Sequence, residues 1–331
     1  MPETTTNMNL VSPNLGLDLV RITEAAALSA GRWMGLGKPA DADLAAATAM
    51  AKAFSHLNID GHVVIGEETK LDFHSPLDSG MRVGTGMGPL MDVVADPVDG
   101  TRLLAKGHPD AIAVAGLALR GAMWQPYPAA YMQKLVVDRQ VADVLVPECL
   151  DAPAAWTLAL IARAKGKQIR DLVVFILDRP RHRDLISEIR AAGARVMART
   201  QGDIAGAIMA VTDTVNIDVM MGVGGVSEGV ISACAVKCLG GAMLGRLAPP
   251  SAEEREALSA LADAGVDLKR VMSCEEMVTG RDVFFAATGI TDGSLLSGVR
   301  YHGGIAETQS MVVRCETGTR RIINAQHRLE D

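Results

Sequence analysis

The chain is acidic and rich in small apolar residues, and both properties narrow the kind of protein it encodes. Its 331 residues are 49% hydrophobic and 21% charged, with 33 glycines and only 3% aromatic residues. A chain of this length is expected to form two packed layers or lobes, since single cores rarely grow beyond about 250–300 residues. The formal net charge of −7 argues against a nucleic-acid-binding surface.

The sequence lacks the patterns of membrane segments and secretion signals. No stretch reaches 18 uninterrupted apolar residues, and residues 1–7 are polar, without the basic flank and apolar centre of a signal peptide. The five cysteines include no C-x-x-C pair, and Cys234 and Cys238 have the spacing of a buried helical face. We therefore expect a cytoplasmic protein with reduced thiols that does not bind membranes.

Two helices and a strand are predicted near the start of the chain. Residues 17–33 and 42–57 carry alanine and leucine at helical spacing, and residues 59–66 are typical of a strand. Asp41 is expected to cap the second helix and Asp43 to favour its dipole. Those structural roles are sufficient by themselves to explain both carboxylates.

Carboxylates follow the ends of two predicted strands. Glu67-Glu68 comes directly after the strand just described, either in a solvated turn or as a ligand. Residues 90–95 form a buried strand, which Asp96-Pro97 and Asp99-Gly100 are expected to stop in a tight turn. Two carboxylates on such a turn can point at one spot, beside the free backbone N–H groups of a helix expected from Thr101. This segment fits a site for cations and a phosphate as well as it fits an ordinary turn.

Beyond residue 110 the chain is expected to continue with strands and then to alternate strands and helices. Residues 110–119 and 131–137 fit buried strands, and residues 147–153 are the candidate boundary between two lobes. The lobe spanning 1–150 is α+β and carries most candidate ligands. The lobe spanning 151–331 is α/β with a mostly parallel sheet, and its C-terminal strands are free to pack back onto the first. Its expected elements are strands at 172–177, 195–198 and 215–221, and helices at 180–192, after Gly202-Asp203, and at 226–239.

Two strand ends in the second lobe carry candidate binding groups. Residues 179–182 place two arginines and a histidine at a helix start, where they form either an anion site or a solvated basic turn. Residues 222–229 form a glycine-rich turn, but Ser227 replaces the third glycine of a dinucleotide motif, and no acid follows about 20 residues later. What remains there is close backbone approach to a ligand, with Glu228 at a helix start.

The candidate groups share one chemistry, that of oxygen donors at the ends of elements. They are Asp43, Glu67, Glu68, Asp96, Asp99 and Glu228. No histidine or cysteine accompanies them at metal-ligand spacing, so the donor set favours Mg²⁺ or Mn²⁺ over Zn²⁺. Such ions beside a phosphate would polarise the P–O bond and activate a water, which Thr101 is placed to orient.

Residues 96–101 (DPVDGT) resemble the signature of the lithium-sensitive, metal-dependent phosphatase superfamily, which includes inositol monophosphatases and fructose-1,6-bisphosphatases. From about residue 17 to 327 the chain is similar to class II fructose-1,6-bisphosphatases, the bacterial glycerol-regulon type. Several separated motifs occur in the family's order, which makes the resemblance far more specific than the single turn. They are residues 21–27 (RITEAAA), 64–67 (VIGE), 179–182 (RPRH), 224–229 (GGVSEG) and 287–291 (ATGIT).

The resemblance implies a mixed α/β protein with the layered αβαβα sugar-phosphatase fold in two lobes. It also implies hydrolysis of the 1-phosphate of fructose 1,6-bisphosphate with Mg²⁺ or Mn²⁺. The metal ligands it implies are Asp43, Glu67, Asp96 and Glu228. The catalytic candidates are the hydroxyl of Thr101 and the carboxylate of Asp72. The substrate contacts it implies are Asp99, Gly100, Thr101, Tyr131, Arg179, Arg181, Asp203 and Gly225.

The chain departs from the family pattern at several positions. The single substitutions are Arg179 for a lysine, Gln201 for an aspartate and Asp99 for a glutamate. An arginine keeps the charge of the lysine but adds a planar fork of donors. Residues 68–73 (ETKLDF) form a segment one residue longer than in the family, in which Asp72 is aligned with a family aspartate. Lys70 brings a positive charge into this segment, where cations are expected to gather.

We therefore expect a metal-dependent sugar bisphosphatase that acts on fructose 1,6-bisphosphate, with sedoheptulose 1,7-bisphosphate as a further substrate. It would serve gluconeogenesis or a related sugar-phosphate pathway such as glycerol metabolism, as a homodimer or homotetramer. Asp99 leaves open an inositol-monophosphatase-like activity. Lys70 leaves open a sugar-phosphate-binding paralogue with weakened catalysis.

Overall fold

Two mixed β-sheets form the framework of the chain, with helices between and outside them. The computed structural model describes residues 14–66, 75–125, 131–213, 215–249, 256 and 267–329. The helices in these residues are α1 (Leu15–Gly31), α2 (Pro39–Phe54), α3 (Thr101–Ala105), α4 (Arg139–Ala142), α5 (Ala154–Ala164), α6 (Arg183–Ala191), α7 (Asp203–Val211), α8 (Val226–Cys238) and α9 (Cys274–Met277). None of these helices has the length and apolar character that a membrane span needs.

The described residues form fourteen strands, and the sequence patterns located seven of them. The fourteen strands are β1 (Asp60–Ile65), β2 (Arg82–Val83), β3 (Leu90–Asp99), β4 (Ile112–Leu119), β5 (Tyr131–Val137), β6 (Val173–Leu177), β7 (Arg195–Arg199), β8 (Val219–Gly225), β9 (Ala242–Leu247), β10 (Met272–Ser273), β11 (Phe284–Gly289), β12 (Arg300–His302), β13 (Ile305–Arg314) and β14 (Thr319–Arg328). The predicted bounds of β5 are those observed, and β4 begins two residues later than expected.

The first sheet holds strands from both ends of the chain. Its order is β12-β13-β11-β4-β3-β1-β2, with β14 paired to β13. Strands β1 and β3 run parallel, and the other described neighbours in this sheet run antiparallel. The C-terminal strands β11 to β14 therefore return to the sheet that contains β1.

The second sheet mixes strand directions, so the expectation of a mostly parallel sheet is wrong. Its order is β10-β9-β5-β8-β6-β7. Strand β6 runs parallel to β7 and β8, whereas β5 runs antiparallel to β8 and β9, and β9 runs antiparallel to β10. Strand β5 belongs to this sheet although it precedes residue 150, the expected start of the second lobe. Pairing direction is a tertiary property, which the residue pattern of a single strand does not encode. The lobe boundary near residue 150 stays a prediction.

The helices form three layers that alternate with the sheets. Helices α1 and α2 pack on one face of the first sheet, α7 and α8 lie between the sheets, and α5 and α6 pack on the far face of the second. Helix α8 is buried along most of its length because it contacts both sheets, and its Cys234 and Cys238 are buried and unpaired, as predicted. The mixed α/β class and the αβαβα order implied by the resemblance are therefore confirmed.

Helix α2 begins earlier than expected, which changes the role of Asp41. Its N-cap is Lys38, and Pro39 occupies the first turn, where the fixed φ and the missing N–H of proline are tolerated. The prediction that Asp41 caps the helix is wrong, because Asp41 lies inside the first turn and favours the helix dipole instead. Asp43 is buried within the helix.

Strand β3 continues through Asp96-Pro97, so the predicted stop at this pair is also wrong. Its pairing with the parallel neighbour β1 ends at Val94, and its register against β4 shifts between Asp96 and Asp99. A proline is tolerated in a strand where the ladder is interrupted or one side is unpaired, because its missing N–H then removes no hydrogen bond. The chain turns only at Gly100, whose φ of +98° suits glycine.

Candidate active site

A cleft of about 780 Å³ brings together the ends of elements from both sheets. Its walls come from the start of α2, the turn between β3 and α3, the first residue of β5, the segment after β6, and the starts of α7 and α8. The predicted site residues in its wall are Asp43, Asp99, Gly100, Thr101, Tyr131, Arg179, Arg181, Asp203, Gly225 and Glu228. Asp96 is buried on β3, and Glu67 and Asp72 lie outside the described residues.

The hydroxyl of Thr101 points to the carboxylate of Asp43. Thr101 Oγ1 lies 2.9 Å from Asp43 Oδ1 and 3.2 Å from Oδ2, and it also lies 3.2 Å from the carbonyl oxygen of Val98. The O–H therefore donates toward these acceptors, which leaves the lone pairs of the hydroxyl oxygen free to accept a hydrogen bond from a water. Because α3 starts at Thr101 immediately after the Gly100 turn, the backbone fixes where this hydroxyl stands.

The two aspartates at the end of β3 have different surroundings. Asp99 reaches across the cleft, where its Oδ2 accepts a 3.0 Å hydrogen bond from the backbone N–H of Ala205 in the first turn of α7. A carboxylate at that position complements the positive end of the helix dipole. Asp96 is 1% exposed, and its Oδ1 accepts from the backbone N–H of Val98 at 3.1 Å. Asp99 therefore joins the first sheet to the helix layer between the sheets.

Arg181 is held at the cleft by contacts with a backbone carbonyl and an aromatic ring. Its Nε and Nη2 donate to the carbonyl oxygen of Val223 at 3.0 and 2.7 Å, and its guanidinium lies 4.9 Å from the centre of the Tyr131 ring. Cation–π contact and a fixed fork reduce the conformational freedom of this side chain. Arg179 lines the same cleft, so two guanidinium groups that follow β6 share it with the carboxylates of α2 and β3.

His182 does not act as a cation, which corrects the expectation of three potentially cationic groups at this turn. It is 2% exposed, with Nδ1 2.6 Å from the carbonyl oxygen of Leu177, and Nε2 accepts from the backbone N–H of Val223 at 2.8 Å. An Nε2 that accepts a hydrogen bond carries no proton, so the ring is the neutral tautomer with its proton on Nδ1. Burial is the largest cause that lowers the pKa of His182. The ring links the ends of β6 and β8.

We expect His182 to make the fold less stable as the pH falls below about 6.5. A folded-state pKa below the unfolded value means that the unfolded chain binds the proton first, so the stabilisation is present at higher pH and is lost on acidification. The limiting slope for one group is about 1.4 kcal/mol per pH unit. Urea unfolding of the wild type and of His182→Asn between pH 5 and 8 measures this loss of stability. The difference between their free energies of unfolding should shrink toward pH 5.

The matched control for this titration is His56→Asn, because His56 is exposed just after the end of α2. It removes an imidazole that does not join two strands, so it shows the effect on unfolding of losing an exposed histidine. A flat difference for His182→Asn would show instead that the buried imidazole contributes equally at every pH.

Glu228 folds back over the glycine that ends β8. A Cβ on Gly225 would lie 1.7 Å from Glu228 Oε2, so a larger residue here would force this carboxylate to move. The same Oε2 accepts a 2.9 Å hydrogen bond from the hydroxyl of Ser227, in the first turn of α8. The glycine-rich segment is strand rather than the predicted turn, since Gly222 to Gly225 pair with β5. The glycines serve close packing around acidic side chains.

The sequence motifs did not indicate the role of Lys134 or the contact that Gln201 makes. Gln201 Oε1 accepts a 2.7 Å hydrogen bond from the backbone N–H of Arg102, which ties the loop before α7 to the start of α3. Lys134 is completely buried on β5 and pairs with Asp203. The strand pattern did indicate a buried ion pair. Lys134 shares one face of β5 with Met132 and Val136, and a charge on such an apolar face needs a partner.

The donor chemistry of the cleft fits a hard divalent cation, although the described residues do not supply a complete ligand set. Asp43 and Glu228 bring carboxylate oxygens to its wall, and the described wall contains neither histidine nor cysteine. Within the described ranges, no three His, Cys, Asp or Glu side chains are close enough together to hold a metal ion. Glu67, the remaining predicted ligand at a strand end, belongs to residues 67–74, which are not described.

The layer order and the cleft are those of the sugar-phosphatase class, with carboxylates, a hydroxyl and guanidinium groups lining one cleft. More specifically, residues 13–327 match the family described as "Bacterial fructose-1,6-bisphosphatase, glpX-encoded". The chain therefore belongs to the class II fructose-1,6-bisphosphatase family of hydrolases, and membership implies dependence on a divalent metal ion. The resemblance stated from the motifs is confirmed.

Full-length relatives agree with this assignment. The chain is 38% identical over 338 residues to two proteins named "D-fructose 1,6-bisphosphatase class 2/sedoheptulose 1,7-bisphosphatase", from Synechococcus sp. strains JA-2-3B'a(2-13) and JA-3-3Ab, with 95% of each chain covered. It is 36% identical over 327 residues to "Fructose-1,6-bisphosphatase class 2" of Haemophilus influenzae, with 96% of this chain and 97% of the relative covered.

Proposed function

We propose that this chain hydrolyses the 1-phosphate of fructose 1,6-bisphosphate to give fructose 6-phosphate and phosphate, using Mg²⁺ or Mn²⁺. The observation that carries the proposal is the composition of the cleft, whose lining includes both the hydrogen-bonded pair Thr101–Asp43 and the two arginines that follow β6. A substrate with a phosphate at each end needs such a site, because one phosphate must react while the other is held. Family membership supports the same reaction.

The carboxylates and the Thr101 hydroxyl are proposed to form the reacting centre. Asp43, Glu67, Asp96 and Glu228 would hold the cations, which when bound would stabilise the negative charge of the reacting phosphate. The Thr101 hydroxyl, whose proton is directed at Asp43, would orient the attacking water. Asp72, in the segment outside the described residues, would assist as the second catalytic group.

The remaining wall is proposed to bind the sugar and the phosphate that is not cleaved. Arg179 and Arg181 would bind that phosphate, since a guanidinium fork matches phosphate oxygens in geometry and charge. The sugar and its linking oxygens would contact other groups that line the cleft. These groups are Asp99, Gly100, Thr101, Tyr131, Asp203 and Gly225.

Sedoheptulose 1,7-bisphosphate is the second proposed substrate, because the two Synechococcus relatives carry that activity in their names. Its extra carbon only lengthens the sugar between the two phosphates. A cytoplasmic location, a role in gluconeogenesis or glycerol metabolism, and a homodimeric or homotetrameric assembly complete the proposal.

Phosphate release from a panel of substrates tests this function. The purified full chain is stripped with a chelator, titrated with Mg²⁺ or Mn²⁺, and supplied with fructose 1,6-bisphosphate, sedoheptulose 1,7-bisphosphate or inositol 1-phosphate. We expect metal-dependent release from the two bisphosphates. Faster release from inositol 1-phosphate would favour the monophosphatase alternative, and sugar-phosphate binding without release would indicate a binding paralogue.

Arg181→Ala should raise the KM for fructose 1,6-bisphosphate more than it lowers kcat. A contact to the uncleaved phosphate is the same in the ground state and the transition state, so its loss weakens binding without slowing the chemical step. We expect a rise in KM of about 10-fold or more, as for the loss of a charge-assisted hydrogen bond. Steady-state kinetics at saturating metal measures both constants.

Arg183→Ala is the control for this experiment, because Arg183 is an exposed arginine two residues further on, at the start of α6. It should leave both constants unchanged. A pure loss of kcat in Arg181→Ala would instead place this side chain at the reacting phosphate.

A further inference from the structure

Lys134 carries a buried charge next to the cleft and has no role in the reaction proposed above. It lies in the middle of β5, its side chain has no exposed surface, and its strand neighbours on the same face, Met132 and Val136, are fully buried. An ammonium in such a place is costly unless it is paired and hydrogen-bonded. A methionine or leucine would pack there without that cost, so the lysine requires an explanation.

The partners of Lys134 belong to the substrate side of the cleft. Its Nζ forms an ion pair with Asp203 Oδ2 in the first turn of α7, and it lies 3.3 Å from the carbonyl oxygen of Gly225. Asp203 and Gly225 both line the cleft and are both proposed substrate contacts. The lysine therefore stands behind the wall and holds two of its elements, the start of α7 and the end of β8.

The backbone is shaped to admit this ion pair. A Cβ on Gly224 would lie 1.9 Å from Asp203 Oδ2 and 2.8 Å from Lys134 Nζ, so any larger residue at this position would displace the pair. Gly224 belongs to β8, directly opposite Met132 of β5 in the sheet. The glycine-rich segment thus has a packing function that is separate from close approach to a ligand.

The pairing leaves one oxygen of Asp203 for another partner. Asp203 is 5% exposed, and Oδ1 is a buried atom without a hydrogen-bond partner among the described residues. A buried carboxylate oxygen that stays unpaired is costly, and such atoms are rare outside functional sites. Burial raises the pKa of Asp203, and the Lys134 ammonium opposes that rise.

We propose that Lys134 is a positioning residue for the substrate: its ion pair with Asp203 fixes that carboxylate in the cleft wall, where it accepts a hydrogen bond from a hydroxyl of the sugar. The proposal rests on the proposed function of the cleft and specifies its sugar-recognition step. Lys134 itself does not touch the substrate, because the wall formed by Asp203 and Gly225 separates them. It acts by holding the acceptor in place and by balancing its charge.

Lys134→Met tests the proposal, since methionine fills a similar volume without the charge. We expect the KM for fructose 1,6-bisphosphate to rise by about 10- to 100-fold, as for loss of a hydrogen bond to a charged group. We expect kcat to stay within about 3-fold, because the sugar contact is made equally in the ground and transition states. An unchanged KM in the folded variant, or a fall in kcat alone, would overturn the proposal.

Lys237→Met is the matched control for loss of a buried lysine. Lys237 on α8 has a side chain 4% exposed, paired with Glu275 and hydrogen-bonded to the carbonyl oxygen of Val278 at 2.6 Å, away from the cleft wall. It should lower the melting temperature and leave KM unchanged. If both lysine variants raised KM alike, the effect would be one of general destabilisation and not of positioning.

The Asp203→Asn background covers the case in which Lys134→Met does not fold. A chain with both substitutions buries no unpaired charge at this site, so it avoids the largest cost of the single change. If Lys134 acts through Asp203, then Lys134→Met should change KM by less than about 3-fold in the Asn background. A further rise of 10-fold or more there would show that the lysine acts by another route.

Calorimetric binding of fructose 6-phosphate separates this proposal from the proposed function. Binding needs no turnover, so a wild type that binds the sugar phosphate but does not release phosphate would contradict only the hydrolase proposal. Lys134→Met that binds fructose 6-phosphate as tightly as the wild type would contradict only the positioning role. Inorganic phosphate, which offers no sugar hydroxyl, should bind the wild type and Lys134→Met equally, and unequal binding would also contradict it.

Discussion

Asp96→Asn is expected to fold normally and to lose about 1000-fold in metal-dependent turnover. The substitution keeps the size of the side chain and an oxygen that can accept from the Val98 backbone N–H, so the local hydrogen bond at the end of β3 survives. It removes the negative charge that a bound cation would need, and with it the electrostatic stabilisation of the reacting phosphate. Phosphate release over a full metal titration measures the loss, and urea unfolding checks the fold.

Asp92→Asn is the matched control, since Asp92 is an equally buried aspartate four residues earlier on the same strand. Its Oδ2 accepts from the backbone N–H groups of Gly121 and Met123 at 2.8 and 3.1 Å, and it is paired with Arg120, outside the cleft wall. This change should affect stability and leave turnover per folded molecule near that of the wild type. Full activity in Asp96→Asn would remove Asp96 from the metal ligands.

Local patterns predicted the elements well wherever one strand or helix determines its own bounds. Strand β5 was expected at the residues where it lies, and α8 differs from its prediction by one residue. Helix α5 and the strands β2 and β9 to β14 were not predicted. Among the elements that were predicted, bounds were wrong where a neighbouring strand determines them. Pro97 does not end β3, because β1 has already left the ladder at Val94 and a register shift accommodates the proline. Such facts belong to strand pairing and are invisible in the strand itself.

The site was predicted in its residue types more completely than in its connections. The motifs pointed to carboxylates, a hydroxyl and arginines, and the described members of that set meet at one cleft. The contacts behind the wall were not predictable, because they join residues far apart in the chain. Lys134 and Asp203 are 69 residues apart, and only the fold shows that the lysine has a partner. One part of this could be predicted from the sequence, because a lysine on an apolar strand face indicates a buried ion pair even when its partner is unknown.

His182 shows the opposite limit, a motif residue whose chemistry depends on its neighbours. The motif at residues 179–182 suggested that His182 could be a third cation. In the structure its ring accepts a hydrogen bond from the Val223 N–H and contacts the Leu177 carbonyl oxygen, so the ring is neutral. Two backbone groups from different strands set that state, and a sequence motif contains neither. The roles of Glu67, Asp72 and Lys70 stay predictions, because residues 67–74 are not described.

Thr101→Val is expected to lower kcat by about 100-fold or more with little change in KM. Valine has nearly the same shape as threonine, so the start of α3 should be preserved, but the hydroxyl that lies 2.9 Å from Asp43 Oδ1 is lost. A group that orients the attacking water acts mainly in the transition state, so its loss appears in kcat rather than in binding. Single-turnover phosphate release at saturating metal isolates that step.

Two further variants make the Thr101 result specific. Thr101→Ser keeps the hydroxyl and should retain kcat within about 10-fold, because only a methyl group is removed. Thr308→Val removes an equivalent hydroxyl from a buried pair outside the cleft, where Thr308 Oγ1 donates to Glu24 Oε1 at 3.1 Å. It should reduce stability without slowing turnover. Equal losses of kcat in Thr101→Val and Thr308→Val would show that the Thr101 hydroxyl supports the fold rather than the reaction, since the two pairs share a chemistry and differ in whether they face the cleft.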